Sequence, residues 1–372
     1  MACYRQVLAK RPKDGNALNL LGLAARQSGD LATALRLSAR AVALQPDSPV
    51  FLANRGAALA EAGELAAAVA ALRRAATLRP DDVTTLRNLG QALTALGDAA
   101  AALAPLERAA ALAKGPARAE PLLALAHARR DLGDAEGAAA AARDLLDHPE
   151  LGAQAGFLLA ALGAAPLPDR APASYVRDLF DHYAARFDAD LTGRLGYRTP
   201  QELAALIARA GIAADRSRRV LDLGCGTGLS GLALAPFAAR LEGLDLSPRM
   251  LAEAARRGCY AALHEADLLD WLPAHPAAHD LVAAADVLNY LGDLRPALAA
   301  CRQALAPGGI LAFSLETATS EGPYSLGEGL RFRHDPESVL AQSGLRLLAR
   351  QDTILRQEKA TPVRGTLLVL AA

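Results

Sequence analysis

Two patterns of apolar and polar positions divide this chain. From about Ser174 onward, short strand-like runs alternate with helical stretches, the pattern of a doubly wound α/β domain. Before that point the pattern is helical and repeats itself. Pro12, Pro46 and Pro80 lie 34 residues apart, as do Gly22, Gly56 and Gly90, and again Gly29, Gly63 and Gly97. Asp30, Glu64 and Asp98 each follow a member of the last set. Three marker sets on one period make coincidence a poor explanation.

A 34-residue unit with a small residue in mid-helix, a Gly-Asp/Glu turn and a closing proline resembles the tetratricopeptide repeat. Units read at 13–46, 47–80 and 81–114, with a looser fourth near 117–149 around Gly133-Asp134, two residues out of phase. Lys114-Gly-Pro116 absorbs the slip. Residues 1–11 read as the second helix of a truncated preceding unit, and Leu151–Leu162 as a closing helix. The crossing glycines (22, 56, 90) sit where a bulky side chain would push paired helices apart, and each terminal proline stops a helix. The resemblance covers about residues 1–162 and implies an all-α solenoid whose concave groove binds a peptide or protein. On the family pattern Asn54 and Asn88 face that groove, where an amide could bond an extended peptide; the alternative is an ordinary solvated Asn. Leu20 holds the corresponding place in the first unit.

The proline-rich stretch Ala164–Pro172 reads as a semi-extended linker. The organisation is therefore a repeat domain over 1–163, a linker over 164–173 and an α/β domain over 174–372. Strands are placed near Arg219–Leu223, Arg240–Leu244, Ala261–His264, Asp280–Ala284 and Ile310–Leu315. A terminal pair follows near Leu345–Leu355 and Gly365–Ala371, and the polar segment Glu358–Arg364 fits a hairpin between them.

Val220-Leu-Asp-Leu-Gly-Cys-Gly-Thr-Gly228 reads as a strand entering a glycine-rich turn that opens a helix. Glycines at 224, 226 and 228 allow tight bending and close approach to a nucleotide-like ligand. The helix N-terminus beyond favours a carboxylate or phosphate. A dinucleotide fingerprint wants glycine or alanine where Leu229 stands. Asp222 also discriminates: a carboxylate near the end of a buried parallel strand is costly without a partner. A capping role toward nearby N–H groups is the simplest alternative for it. With a parallel sheet ending in a hairpin, and hence one antiparallel strand, this stretch resembles the first motif of class I S-adenosylmethionine-dependent methyltransferases, a Rossmann-like fold of seven strands. The resemblance spans about Leu179–Leu370.

That resemblance implies S-adenosylmethionine as cofactor and assigns residues to it. Asp222, Gly224, Cys225, Gly226, Gly228 and Asp286 bind it, Asp222 meeting the ammonium of its methionine part. Asp245, 17 residues past Gly228, accepts the ribose hydroxyls. Leu246 and Met250 lie near the adenine face, with core packing the alternative for Met250. Asp267 accepts the adenine amine, and the Leu268 N–H faces a ring nitrogen; for a lone Asp267 a helix cap is the plainer reading. The transferring methyl sits beside Asp286-Val-Leu-Asn289-Tyr290. The amphipathic stretch Tyr175–Asp188 and Leu195-Gly-Tyr-Arg198 resemble the cover of the family's small-molecule branch and of bacterial tetratricopeptide-linked methyltransferases. Tyr183, Phe187 and Arg198 are then candidates for closing over the donor, with helix packing the alternative for the aromatics.

The acceptor side is less legible, because methyl transfer from a charged donor needs a base only when the acceptor must lose a proton. Candidates are Tyr290, Glu316, Tyr324, Arg331 and His334, the polar loop Thr317–Arg333 serving as a lid. His334 also precedes Asp335-Pro336, a helix start. Asn289-Tyr290 is not the Asp/Asn-Pro-Pro-Tyr run of amino-group methylators of nucleic acid. His275 and His279 share helical spacing, but Pro273 and Pro276 break any helix and leave them loop histidines rather than a metal pair. Cys225 reads as a small packed side chain.

Composition narrows the partners. Forty Lys+Arg balance forty Asp+Glu, so no global field recruits nucleic acid or an anionic membrane. Cys3, Cys225, Cys259 and Cys301 form no C-x-x-C pair, which fits a reducing cytoplasm and no metal site. The first residues carry no signal-peptide core, and runs such as Leu18–Ala25 are too short to span a bilayer. The leading expectation is a cytoplasmic methyltransferase whose repeats recruit a protein substrate or partner. The alternatives are a small-metabolite O- or C-methyltransferase whose repeats serve assembly, and a non-catalytic scaffold that binds the nucleoside.

Overall fold

The computed structural model describes residues 1–194, 196–318, 322–327, 329–358 and 361–372. Two compact units are present, Met1–Ala165 and Pro166–Ala372.

The first unit is a run of antiparallel helix pairs. A lone helix α1 (Ala2–Lys10) precedes α2 (Gly15–Gln27) with α3 (Leu31–Leu44), α4 (Pro49–Glu61) with α5 (Leu65–Leu78), and α6 (Val83–Leu96) with α7 (Ala99–Leu112). A short 3-10 turn at Gly115–Arg118 marks the phase slip before α8 (Ala119–Asp131) and α9 (Ala135–Arg143), and α10 (Gly152–Ala161) closes the unit. Asp30, Asp98 and Asp134 each cap the following helix by accepting a backbone N–H three residues on. The preceding Gly29, Gly97 and Gly133 take φ of 82°, 92° and 80°, which glycine adopts without strain.

The crossing glycines lie against leucines of the partner helix. An added Cβ would stand 3.3 Å from Leu37 Cβ at Gly22, 2.5 Å from Leu72 Cγ at Gly56 and 2.3 Å from Leu106 Cγ at Gly90. Half-buried Asn54 has a partner in the preceding repeat unit: its Nδ2 donates to Oδ1 of Asn19 at 2.9 Å. Asn19, next to the Leu20 that seemed to interrupt the series, supplies that partner. Asn88 accepts from the Arg87 guanidinium at 3.2 Å.

The second unit opens with α11 (Ala173–Tyr183) and α12 (Thr199–Arg209). Strands and helices then alternate through β1 (Arg218–Leu223), α13 (Leu229–Leu234), β2 (Ala238–Asp245), α14 (Pro248–Arg257), β3 (Ala262–Glu265), α15 (Leu268–Trp271), β4 (His279–Ala284), α16 (Arg295–Ala304) and β5 (Leu305–Glu316). A small hairpin, β6 (Tyr324–Leu326) with β7 (Phe332–His334), precedes α17 (Pro336–Ser343), β8 (Arg346–Glu358) and β9 (Thr361–Ala371). The seven-stranded sheet runs β3-β2-β1-β4-β5-β9-β8. Its first five strands are parallel, and β9 enters antiparallel between β5 and β8.

Strict alternation sorts the buried strands onto two cores. Val220, Leu281, Ala283, Ile310, Ala312, Leu367 and Val369 face α12 and α13. Leu221, Leu223, Val282, Phe313, Leu368 and Leu370 face α16 and α17. Two expectations need correction. The segment Thr317–Arg333 is not wholly a polar loop: β6 and the start of β7 lie in it, while 319–321 and 328 lie outside the described residues. His279 is the first residue of β4, and His275 stacks on Trp271 with ring centroids 3.7 Å apart. Of the segment Glu358–Arg364 expected as a hairpin, Glu358 ends β8 and Thr361–Arg364 begin β9, while 359 and 360 also lie outside the described residues. Among the described residues no helix is long and apolar enough to cross a membrane.

Candidate active site

Strand β1 has β2 on one side and β4 on the other, so the chain leaves this region in opposite directions and opens a crevice at the carboxyl ends of the strands. The glycine turn lines it. Gly224, Gly226 and Gly228 have φ of 56°, 53° and 87°. An added Cβ would lie 2.5 Å from Val287 Cγ2 at Gly224 and 3.0 Å from Arg257 Cγ at Gly228. Side chains are therefore excluded at both places by conformation and by space.

The three acids read from the sequence have different surroundings. Alternation along β1 turns Asp222 beneath α13, fully buried. Its Oδ2 accepts from Ser230 Oγ and Tyr260 OH, both at 2.6 Å, while Oδ1 has no partner. Burial pushes this carboxyl up to about 7 against the pull of the two hydroxyls. The capping alternative fails in its original form, since the donors are hydroxyls and not backbone N–H groups.

Asp245 ends β2 with both oxygens fixed. Oδ2 accepts the Gly226 N–H and Oδ1 the Ser247 N–H, each at 2.8 Å. Burial raises its carboxyl and these backbone donors oppose the rise. The Leu246 N–H also opposes the rise, and with about four lone-pair sites on a carboxylate one is left for a ligand. Asp267 caps α15 through Oδ1, which accepts the Leu269 N–H at 3.0 Å, and its Oδ2 takes the guanidinium of Arg170. The cap and the charge partner are both present, so the plainer reading of Asp267 holds at least in part.

The remaining donor-side candidates fall into place around these acids. Met250 is fully buried and its N–H donates to Ser247 Oγ at 3.0 Å, whereas Leu246 and Leu268 are half-buried. Cys225 is buried, and its thiol is pushed far above the ordinary thiol range by that burial and by Asp222 and Asp245. It is a packed side chain and no nucleophile.

A cover formed by α11 and the turn after it is bonded to the crevice by two carboxylates the sequence reading missed. Asp181 accepts from Ser247 Oγ at 2.5 Å, and Asp188 accepts from Thr227 Oγ1 at 2.5 Å and from the Arg257 guanidinium. No sequence signal set them apart: Arg177 stands four residues before Asp181 and Arg186 two before Asp188, so both acids read as ordinary members of a charged helix face. Between them runs a row of edge-on rings, Tyr183 to Phe187 at 5.4 Å, Phe187 to Phe180 at 6.1 Å and Phe180 to Tyr290 at 5.5 Å. Phe187 comes within 3.9 Å of where a Cβ on Gly226 would stand. Arg198 is exposed at the start of α12. Its buried neighbour Tyr197 reaches the site instead, bonding Asp286.

Beyond β4 and β5 lies a buried ionic network. Asp286, at φ 57°, donates its N–H to Ser314 Oγ at 2.7 Å and accepts that hydroxyl at 3.0 Å. Glu316 meets the Arg356 guanidinium, Arg331 Nε at 3.4 Å, Arg333 Nε at 4.0 Å and Asn289 Nδ2 at 3.2 Å. These contacts tie the Glu316 carboxylate to the strand ends. Tyr324 and His334 belong to the small hairpin. The Tyr324 hydroxyl donates to Asp169 at 3.3 Å, and buried His334 sets Nε2 against the Gly292 carbonyl at 3.1 Å. Burial lowers the His334 pKa, which keeps the ring neutral. Of the five acceptor candidates, Tyr290 is the one that joins this aromatic row among the described residues. Among the described residues no group of His, Cys, Asp and Glu could hold a metal ion.

This strand order, with a glycine turn after β1 and acids at the ends of β2 and β3, defines a class I methyltransferase fold. Comparison with known proteins agrees: residues 220–309 match a methyltransferase domain family and residues 56–97 match the TPR repeat. The chain thus joins a tetratricopeptide-repeat region to a methyltransferase domain. Among curated relatives, the ubiquinone biosynthesis O-methyltransferase of Sodalis glossinidius is 32% identical over 142 residues, 36% of this chain and 56% of that protein. The trans-aconitate 2-methyltransferase of Pseudomonas aeruginosa is 39% identical over 151 residues, 35% of this chain and 54% of that protein. The chain spans about half the length of these curated relatives. A solved structure of the N-methyltransferase NodS from Bradyrhizobium japonicum with S-adenosyl-l-homocysteine is 22% identical, with TM-score 0.42, covering 53% of this chain and 97% of that one.

Proposed function

We propose that the second unit is an S-adenosylmethionine-dependent methyltransferase with its donor site in the crevice of Gly224–Gly228, Asp245 and Asp267. The observation that carries this reading is the fixed carboxylate of Asp245, tied at 2.8 Å to the glycine turn itself. A carboxylate so placed suits a vicinal diol. The partnerless Oδ1 of Asp222 and the cradle that a Cβ would fill also fit the donor. Asp222 would hold its ammonium, Asp245 the ribose hydroxyls, Asp267 and the Leu268 N–H the adenine, with Leu246 and Met250 beside the ring. When bound, S-adenosylmethionine supplies an electrophilic methyl on a sulfonium. The protein's part is orientation and exclusion of water: the bonded cover and the ring row Tyr183–Phe187–Phe180–Tyr290 close over the turn. No free base is needed for an acceptor that is already nucleophilic.

Two readings of the acceptor each have an observation behind them. A small organic acceptor is favoured by the curated relatives, whose names specify ubiquinone biosynthesis and trans-aconitate. A protein acceptor or partner held by the repeats is favoured by the TPR match. We place the small acceptor first, which reverses the order drawn from sequence, and assign the repeats to binding a protein or peptide. Incubating the protein with radiolabelled donor and cell extract, then fractionating by size, separates them. Label in the small-molecule fraction supports the first, label in macromolecules the second, and donor binding without any label transfer supports a non-catalytic scaffold.

A further inference from the structure

The stretch joining the repeat markers to the α/β domain reads as a linker in sequence, yet its last residues are built into the methyltransferase unit. Ala171 N–H donates to the Tyr290 carbonyl at 2.8 Å, and the Asp169 carbonyl accepts the N–H groups of Gly292 at 2.7 Å and Asp293 at 3.0 Å. Arg170 bridges Leu291 in antiparallel fashion between them. Ala171 is 1% exposed, so the extended segment is pinned on both sides of residue 170. With Asp169 and Ala171 directed one way, alternation sends the Arg170 side chain the other. It ends on Oδ2 of Asp267, 97 residues away in sequence.

We infer that Arg170 is a positioning residue of the adenine subsite and sets its preference for a 6-amino purine. The inference rests on the reading that Asp267 accepts the adenine amine. A carboxylate rotates unless both oxygens are held. The Leu269 N–H holds Oδ1 of Asp267 and the Arg170 guanidinium holds Oδ2, which fixes its plane. About four lone-pair sites exist on a carboxylate and two are thereby used, leaving room for an amine. The guanidinium presents donors only, so the Asp267 oxygen that faces it serves as an acceptor. A fixed acceptor welcomes an exocyclic amine and rejects a carbonyl at the same position, a contrast that a loose carboxylate would blur. Arg170 keeps about a third of its side chain exposed and Asp267 about a seventh. The pair is therefore sheltered enough to matter and open enough for a ligand to approach.

The test is calorimetric titration of the full chain with S-adenosylhomocysteine and with its 6-oxo counterpart, S-inosylhomocysteine. Wild type is expected to prefer the 6-amino compound. In Arg170→Ala, affinity for the 6-amino compound should fall roughly tenfold, as for loss of a charged hydrogen-bond partner. Affinity for the 6-oxo compound should change much less, so the preference collapses. Arg170→Lys should restore part of it. Arg170→Gln, which keeps the stem and the backbone bridge, should behave as the alanine variant does if folding is intact. An unchanged preference in both the Ala and Gln variants would overturn the inference, and so would tighter 6-amino binding, which would make Arg170 a latch. Failure of wild type to bind either compound would instead overturn the donor reading itself.

Discussion

Tyr260 donates its hydroxyl to Asp222 at 2.6 Å and fills the space that a side chain at Gly231 would need, its oxygen lying 2.2 Å from where that Cβ would stand. The glycine at 231 and the tyrosine at 260 therefore serve one buried carboxylate. The pH behaviour of the protein follows from it. Asp222 is pushed up to about 7 when folded, against about 3.9 in an unfolded chain. Between those values the native state holds a proton that the unfolded state has lost, so stability should fall as pH rises from about 4 to about 7 and then level off. Asp222→Asn should flatten that part of the profile in urea titrations at stepped pH.

Donor affinity should run the opposite way. An ammonium is attracted only by the ionised carboxylate, so binding of S-adenosylhomocysteine should tighten as pH rises through about 7. Near that pH, binding should release protons, read as an enthalpy that varies with buffer ionisation heat. Tyr260→Phe removes a hydrogen bond that favours the anion; the affinity step should move to higher pH. A pH-independent affinity would remove Asp222 from the ammonium role.

The cover is held by Asp188 on Thr227 and Arg257 and by Asp181 on Ser247. Asp188→Ala should loosen it without opening the core, since Asp188 is only half-buried. Stopped-flow displacement of bound S-adenosylhomocysteine should show dissociation faster by about three- to tenfold, with most of the affinity change in that rate. A variant with unaltered dissociation would mean that the cover does not gate the site.

In the repeat unit the crossing glycines should rank by their clearance. Gly90→Ala and Gly56→Ala place a Cβ at 2.3 and 2.5 Å from leucine carbons, whereas Gly22→Ala meets its neighbour at 3.3 Å. The first two should destabilise by about 1–3 kcal/mol through overpacking. Gly22→Ala should cost less, its contact being offset by the roughly 1 kcal/mol helix preference of alanine over glycine. Urea unfolding of the three variants checks the order.

The fold was legible because its signals are local. Gly22, Gly56 and Gly90 mark helix crossings by their size, and the runs at 220–223, 281–284 and 310–315 alternate between two cores. The hairpin Tyr324–His334 was not, since three-residue strands carry too little pattern to separate from a polar loop. His279 was misplaced for a related reason: Pro273 and Pro276 excluded a helix but said nothing about a strand beginning three residues later. At the site, Asp245 could be read from its distance to the glycine turn. The partners of Asp222 and Asp267 could not, because Ser230, Tyr260 and Arg170 are set by tertiary contact across 8, 38 and 97 residues. Asp181 and Asp188 stood in a segment already read as a cover, yet only the fold shows which N–H and hydroxyl groups they meet.

The most direct measurement is calorimetric titration of S-adenosylhomocysteine into wild type and Asp245→Ala. Saturable binding to wild type, weakened by about 1–3 kcal/mol in the variant, is the outcome this account predicts. No uptake by wild type, or equal affinity in the two proteins, would contradict it.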